Sequence, residues 1–403
     1  MKLRFRAGLL LIALSLLDFQ TLSAQEKLST DSEKIKKAYN LIKAYHSGAE
    51  HESNVVKLVY FHGKDLEPLS NWKERLTSTL DSVSNFYKEE FFRYGISIEG
   101  VPFEKRGGEY VFHVVEGDSI SRKYSIKSGE KILQEIYTKT KSQIDFSKEF
   151  ILVINGLCYK RDDDTYVFHS PYFGIGSSAF GACLVADCEL LDSKLLKNTT
   201  QRMKFSEMMI NLKECSVAEF NSWYVGGIVH EMGHIFGLPH DFGSPKLVDN
   251  STISLMGQYG SRHFKDYLWG GNKSAIFSSA SILQLMSHPI FTQSNKNRNQ
   301  KPKVALSNLR FDQNSEGITL KAAMKGDQLP YGVVSLIRPA KLTEYFNLSF
   351  SNVITGADSI RLEYGHWAEG KYKLQLLILY PNGAVQNINK EMNVDNRGKA
   401  EVI

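Results

Sequence analysis

Three histidines, two acids and two glycines are packed into the stretch His230-Glu231-Met-Gly233-His234-Ile-Phe-Gly237-Leu-Pro-His240-Asp241. Residues four apart share one face of a helix, so His230 and His234 can aim ring nitrogens at a single ion. Glu231 lies beside them, within reach of a water on that ion. Gly237 can leave the helix through positive φ, and the returning chain lets His240 supply a third nitrogen. Three imidazoles leave the fourth position of a tetrahedral zinc site open, which is the arrangement of a hydrolytic site. One catalytic Zn2+ in such a site lowers the pKa of a water to about 7 and polarises an approaching carbonyl. Glu231 is then expected to take the proton as water attacks a peptide carbonyl and to hand it to the departing amine.

The extended motif, with Ser254-Leu-Met256-Gly downstream, resembles the metzincin clan of zinc endopeptidases, in which a methionine turn passes beneath the metal. Asp241 after the third histidine makes it most similar to the reprolysin (adamalysin) branch. The resemblance is close over about residues 230 to 257 and extends to the rest of the catalytic region by layout. It implies Met256 as the turn methionine, a soft thioether packed under the imidazoles. It also implies an α/β (α+β) catalytic domain with a twisted mixed sheet and an active-site helix, and a protein or peptide substrate. In astacins and serralysins a tyrosine two residues after the turn methionine can ligate zinc; here that position is Gln258. The neighbouring Tyr259 is a candidate for oxyanion stabilisation, with simple packing as the alternative. Asp241 is expected to accept hydrogen bonds that fix the loop after His240.

A helix must carry His230, and the apolar pattern over Cys215 to Phe236 supplies it. Upstream, Val55 to His62, Ile96 to Phe103, Tyr110 to Val115 and Phe150 to Leu157 read as strands, and Leu69 to Tyr94 and Ile132 to Ile144 as helices; Ser279 to Met286 reads as a closing helix. An extended substrate needs an edge strand to pair with, and the segment Ser178-Ala179-Phe180-Gly181-Ala182, running on to Val185, is the candidate. An ordinary strand with a bulge at Gly181 is the alternative.

The first residues set the compartment. Lys2, Arg4 and Arg6 precede the apolar run Gly8 to Leu17, and Leu22-Ser23-Ala24 ends in a small residue, so residues 1–24 read as a signal peptide and the chain as secreted or periplasmic. No later segment reads as a membrane anchor. The formal charge of +5 is too weak to imply nucleic acid. Four cysteines, Cys158, Cys183, Cys188 and Cys215, suggest two disulfides in an exported chain, with three pairings open; Cys183 with Cys188 would leave Cys158 with Cys215. Arg161-Asp-Asp-Asp164 is a weak calcium candidate, a solvated turn being the plainer reading.

These signals divide the chain into a signal peptide (1–24), an N-terminal polar helix or short pro-segment (25–53), a zinc metalloprotease domain (54–291), a linker (292–303) and a C-terminal domain (304–403). In the last, alternation with period two over Gly317 to Ala323, Gly332 to Ile337, Ser359 to Tyr364 and Tyr372 to Tyr380, with a turn at Pro381-Asn-Gly383, predicts a small all-β sandwich of immunoglobulin or fibronectin type. It is expected to be separable, and to bind a carbohydrate or cell-surface ligand or to cover the catalytic domain. The leading function is a secreted zinc-dependent endopeptidase. The rival is an extracellular binding or adhesion protein on a metalloprotease scaffold.

Overall fold

The computed structural model describes residues 24–206, 214–245, 252–269, 274–326, 328–354, 356 and 358–403. All but the last residue of the expected signal peptide lies outside them. No helix among the described residues is long and apolar enough to cross a membrane.

Helix α1 (Ala24–His46) buries Ile35, Ala38 and Ile42, whose three- and four-residue spacing puts them on one stripe against the core of the central sheet. The central sheet follows: β1 (Val56–His62), α2 (Trp72–Phe92), β2 (Phe112–Glu116), α3 (Gly129–Thr140) and β3 (Phe150–Asn155). Next come β4 (Cys158–Lys160), β5 (Thr165–Phe168), β6 (Phe173–Gly176), β7 (Gly181–Ala186), β8 (Arg202–Ser206), β9 (Cys215–Ser216) and α4 (Val217–Ile235). The five-stranded sheet has the order β2-β1-β3-β7-β6. Its first four strands are parallel, and β6 runs antiparallel to β7 at the edge.

Strands β1 and β3 are almost continuous apolar runs because both their faces are covered. Alternate residues go to opposite sides. Leu58, Tyr60, Leu152 and Ile154 join α2 and α4 in one core, whereas Val59, Phe61, Ile151 and Val153 pack on Ile132 and Ile136 of α3 in another. The expected strand over Ile96 to Phe103 does not form. Gly100 adopts φ +102°, and Val101 donates its N–H to Ser84 Oγ rather than to a neighbouring strand.

Beyond the active-site helix lie β10 (Thr252–Ser254), β11 (Ser274–Ile276) and α5 (Ser279–Leu285). The C-terminal region contains β12 (Val304–Asn314), β13 (Gly317–Gly326), β14 (Gly332–Pro339), β15 (Leu348–Val353), β16 (Ser359–Gly365), β17 (Gly370–Leu379), β18 (Val385–Val394) and β19 (Ala400–Val402). They form antiparallel sheets of order β12-β13-β16 and β15-β14-β17-β18-β19, with a separate core between them.

This β-rich region does not hang from a free tether. Tyr331, Val334, Leu336, Leu377 and Leu379 belong to the same core as α2 and α4, a burial worth on the order of 10 kcal/mol. Tyr331 OH also donates to Leu283 O at 2.6 Å. In the expected linker, the Arg298 guanidinium donates to the carbonyls of Ser178, Ala179 and Lys148, and Asn382 donates to the carbonyls of Asn297 and Gln300. Gln293, Lys296 and Arg298, which mimic a solvated linker in the sequence, are spent on backbone acceptors.

The four cysteines are free and buried, so the expected disulfides are absent. Cys183 sits within the extended strand β7 and Cys188 lies five residues on, a span of on the order of 15 Å, far beyond disulfide reach. The neighbour of Cys158 is Cys188 rather than Cys215, and burial pushes the Cys158 thiol well above its ordinary range.

Candidate metal centre

Helix α4 starts on a capping box in which Ser216 Oγ accepts from Glu219 N and the Glu219 carboxylate accepts from Ser216 N. It ends on a Schellman turn: Gly237, at φ +83°, donates to His234 O, and Leu238 donates to Gly233 O. That turn brings Leu238 O to 2.8 Å from His234 Nδ1 and carries the chain back to His240. His230 Nδ1 donates to Leu255 O at 2.7 Å, at the foot of the turn containing Met256. Both imidazoles are thereby held with Nε2 unprotonated and facing inwards.

His234 Nε2 lies 3.1 Å from His230 Nε2 and 3.0 Å from His240 Nε2. With Nδ1 of His230 and of His234 committed to carbonyls, their Nε2 lone pairs face each other, which is unfavourable unless a cation lies between them. Metal–nitrogen bonds of about 2.1 Å in a tetrahedral site require nitrogen separations of about 3.4 Å, a few tenths of an ångström wider than found, so the donor set fits zinc. Burial, reinforced by the charge of His234, lowers the pKa of His230 and of His240 to about 3. Neutral imidazoles are the form a metal needs. Among the described residues this is the one group of three side chains able to hold a metal ion. At the calcium candidate, Asp163 and Asp164 pair instead with Arg161 and Lys160.

Burial lifts the Glu231 carboxyl to about 8, opposed by a hydrogen bond from the Gly174 N–H. A dication at the imidazoles would pull it back down. Met256 is fully buried beneath the last turn of α4, and a Cβ added at Gly233 would meet its Sδ at 2.6 Å. Asp241 is also fully buried. Its carboxylate accepts from Gly243 N at 2.6 Å and from the hydroxyls of Ser254, Ser278, Ser281 and Ser349 at 3.1 to 3.3 Å. It therefore ties the third-histidine loop to β10, to the start of α5 and to the C-terminal region.

Tyr259 is 60 % exposed in the turn after Met256, at φ +64°. The expected edge segment is displaced. Gly181 and Ala182 open β7, which is paired on both sides, while Ser178 to Phe180 form the turn before it. The edge is β6, Phe173–Gly176, whose Gly174 packs on the backbone of Glu231.

Sequence reading also missed Asn347 and Tyr345. Asn347 Nδ2 donates to His240 O at 3.1 Å, and Asn347 O accepts from Phe242 N at 2.8 Å. The Tyr345 ring lies 3.9 Å from the His240 ring, centroid to centroid.

Fold and site together define a metalloprotease-like domain followed by a β-rich C-terminal region. The solved structures similar to this chain include OgpA from Akkermansia muciniphila. A wild-type form has a TM-score of 0.66 at 18 % identity, over 88 % of this chain and 96 % of that one. A catalytically inactive form in complex with an O-glycopeptide (glycodrosocin) substrate has a TM-score of 0.65, also at 18 % identity, over 86 % of this chain and 94 % of that one. At this identity the likeness establishes the fold. No protein-family model and no curated protein matches the chain.

Proposed function

We propose that the protein is an exported zinc metalloendopeptidase of metzincin type, acting on peptide bonds of extended and O-glycosylated protein segments. The observation that carries this reading is the convergence of His230, His234 and His240 Nε2 beside Glu231, whose backbone packs against Gly174 of the edge strand. When bound, zinc supplies a Lewis acid that acidifies a water and polarises the scissile carbonyl.

The chain's own groups do the rest. His230 and His234 keep their Nδ1 protons on Leu255 O and Leu238 O, so neither imidazole competes for a proton during turnover. Glu231 accepts the proton of the attacking water and returns it to the leaving amine. Strand β6 offers an unpaired edge to an extended substrate, antiparallel to the rest of its sheet. The glycopeptide part of the reading is supported by the likeness to OgpA, whose inactive form was solved with such a substrate. Export is supported by the basic and apolar pattern of residues 1–24.

The test uses the zinc-loaded chain without residues 1–24 and its Glu231→Ala variant, assayed on casein and on a mucin-type glycoprotein before and after enzymatic removal of its O-glycans. About one zinc per chain in both forms, with chelator-sensitive cleavage in wild type alone, is expected. Cleavage of the glycoprotein that disappears with its glycans selects the glycopeptide reading, and cleavage of casein selects a general endopeptidase. Zinc without cleavage of any of them defeats the proposal and favours the binding-protein alternative.

A further inference from the structure

The C-terminal region reaches into the metal centre through one short turn, Glu344–Phe346. The turn is clamped on both flanks. Arg338 donates to Leu342 O and to Asn347 Oδ1, Asn347 bridges His240 O and Phe242 N, and Ser349 binds Asp241. Between these anchors stands Tyr345. Its ring is tilted 33° to the His240 ring at 3.9 Å, which is van der Waals contact. The side chain is 42 % exposed, so solvent and substrate can reach the phenol beside the third imidazole. A reachable phenol in contact with the third imidazole stands next to the path of a carbonyl that approaches the histidine cluster.

We propose, building on the peptidase reading, that Tyr345 is a catalytic residue lent by the C-terminal region, and that its hydroxyl donates a hydrogen bond to the carbonyl oxygen of the scissile peptide as negative charge develops on it. The donor is placed in advance by the clamped turn, so little reorganisation is needed when the charge appears. The C-terminal region is then part of the active site and not a cover over it.

The experiment compares wild type, Tyr345→Phe and Tyr345→Leu as full chains loaded with zinc. It measures kcat and KM on a substrate that wild type cleaves, zinc affinity by chelator competition, and calorimetric binding of a phosphinic peptide, whose tetrahedral oxyanion mimics the transition state. Tyr345→Phe keeps the ring on His240 and removes only the hydroxyl. It is expected to lose about 100-fold in kcat and a similar factor in phosphinate affinity, with KM and zinc affinity within about threefold of wild type. Tyr345→Leu should show the same loss in kcat together with weaker zinc binding. A Tyr345→Phe variant with wild-type kcat and phosphinate affinity overturns the inference, as does one whose loss is matched by lost zinc, which would make the residue a support of the metal. Failure of the peptidase reading shows separately, as a wild-type chain that neither cleaves nor binds the phosphinate, and the inference falls with it.

Discussion

Gly174 packs its backbone directly on the backbone of Glu231, joining the edge strand of the sheet to the proposed general base. The approach is so close that a Cβ at Gly174 would overlap the Glu231 carbonyl oxygen and lie 2.9 Å from His234 Cβ. Gly176 stands equally tight against Ile235 O. Here glycine is required for contact between two backbones. Gly174→Ala should push β6 off α4, shifting the helix backbone at Glu231 and moving the edge from the cleft. Turnover is expected to drop at least about tenfold while zinc binding falls much less, since the three imidazoles are held by α4 and the loops after it. Equal activity in the variant would show that the strand tolerates the shift and that its register is not set by this contact.

Asp241 is the acceptor for five donors drawn from four separate segments. Burial pushes its pKa up and the donors pull it down, led by the Gly243 N–H. Asp241→Asn puts an amide N–H2 where acceptor lone pairs are needed, leaving serine hydroxyls to reorient around it. A loss of about 2 to 4 kcal/mol is expected, with reduced zinc affinity because the loop bearing His240 is released. Chemical denaturation of the metal-free chain measures the first effect and chelator competition the second.

The contrast between what the sequence discloses and what it hides is visible at these two sites. His230, Glu231, His234 and His240 are neighbours along one helix and its Schellman turn, so local spacing alone brings them together. Gly174, Tyr345 and the serines around Asp241 arrive from 13 to 108 positions away or from other layers of the fold, and no local periodicity marks them. The true edge strand is only four residues long and contains two glycines, which is weak as a strand signal. The longer apolar run beside it, Gly181–Ala186, looks more like a strand because it is buried in the sheet. The cysteines mislead for a similar reason: their number fits a disulfide framework, but they occupy apolar core positions, where a thiol packs as a small hydrophobe.

Glu90 gives a pH dependence with a definite sign. It is buried on α2, accepts from Phe277 N at 2.7 Å and from Arg93 at 2.9 Å, and desolvation raises its pKa from 4.5 to about 7. The folded protein therefore holds a proton that the unfolded chain releases. Stability is unaffected below pH 4.5, falls as the pH rises towards about 7 and is level above that, a total of about 3 kcal/mol. Glu90→Gln keeps an acceptor for Phe277 N and removes the titration. The variant should melt higher than wild type at pH 8 and together with it at pH 4.5. Parallel melting curves at both values would mean that the ion pair with Arg93 already offsets the burial.

Removal of residues 304–403 tests how far the catalytic domain depends on the region behind it. Period and composition alone predict a separable module, yet the cut would expose the catalytic-core face that Tyr331, Val334, Leu336, Leu377 and Leu379 cover. It would also delete the Asn347 and Ser349 partners of the third-histidine loop. Leaving His240 O, Phe242 N and one side of Asp241 without partners costs about 1 to 3 kcal/mol for each buried group that water does not reach. The truncated chain is expected to be aggregation-prone, and any soluble fraction to bind zinc at least about tenfold more weakly than the full chain. The point substitution Asn347→Ala in the full chain separates the two causes, because it removes the side-chain bond to His240 O while the backbone bond from Phe242 N and the apolar interface stay in place. It should weaken zinc binding with little effect on solubility. A soluble truncated chain with full zinc affinity would show that the loop holds His240 unaided.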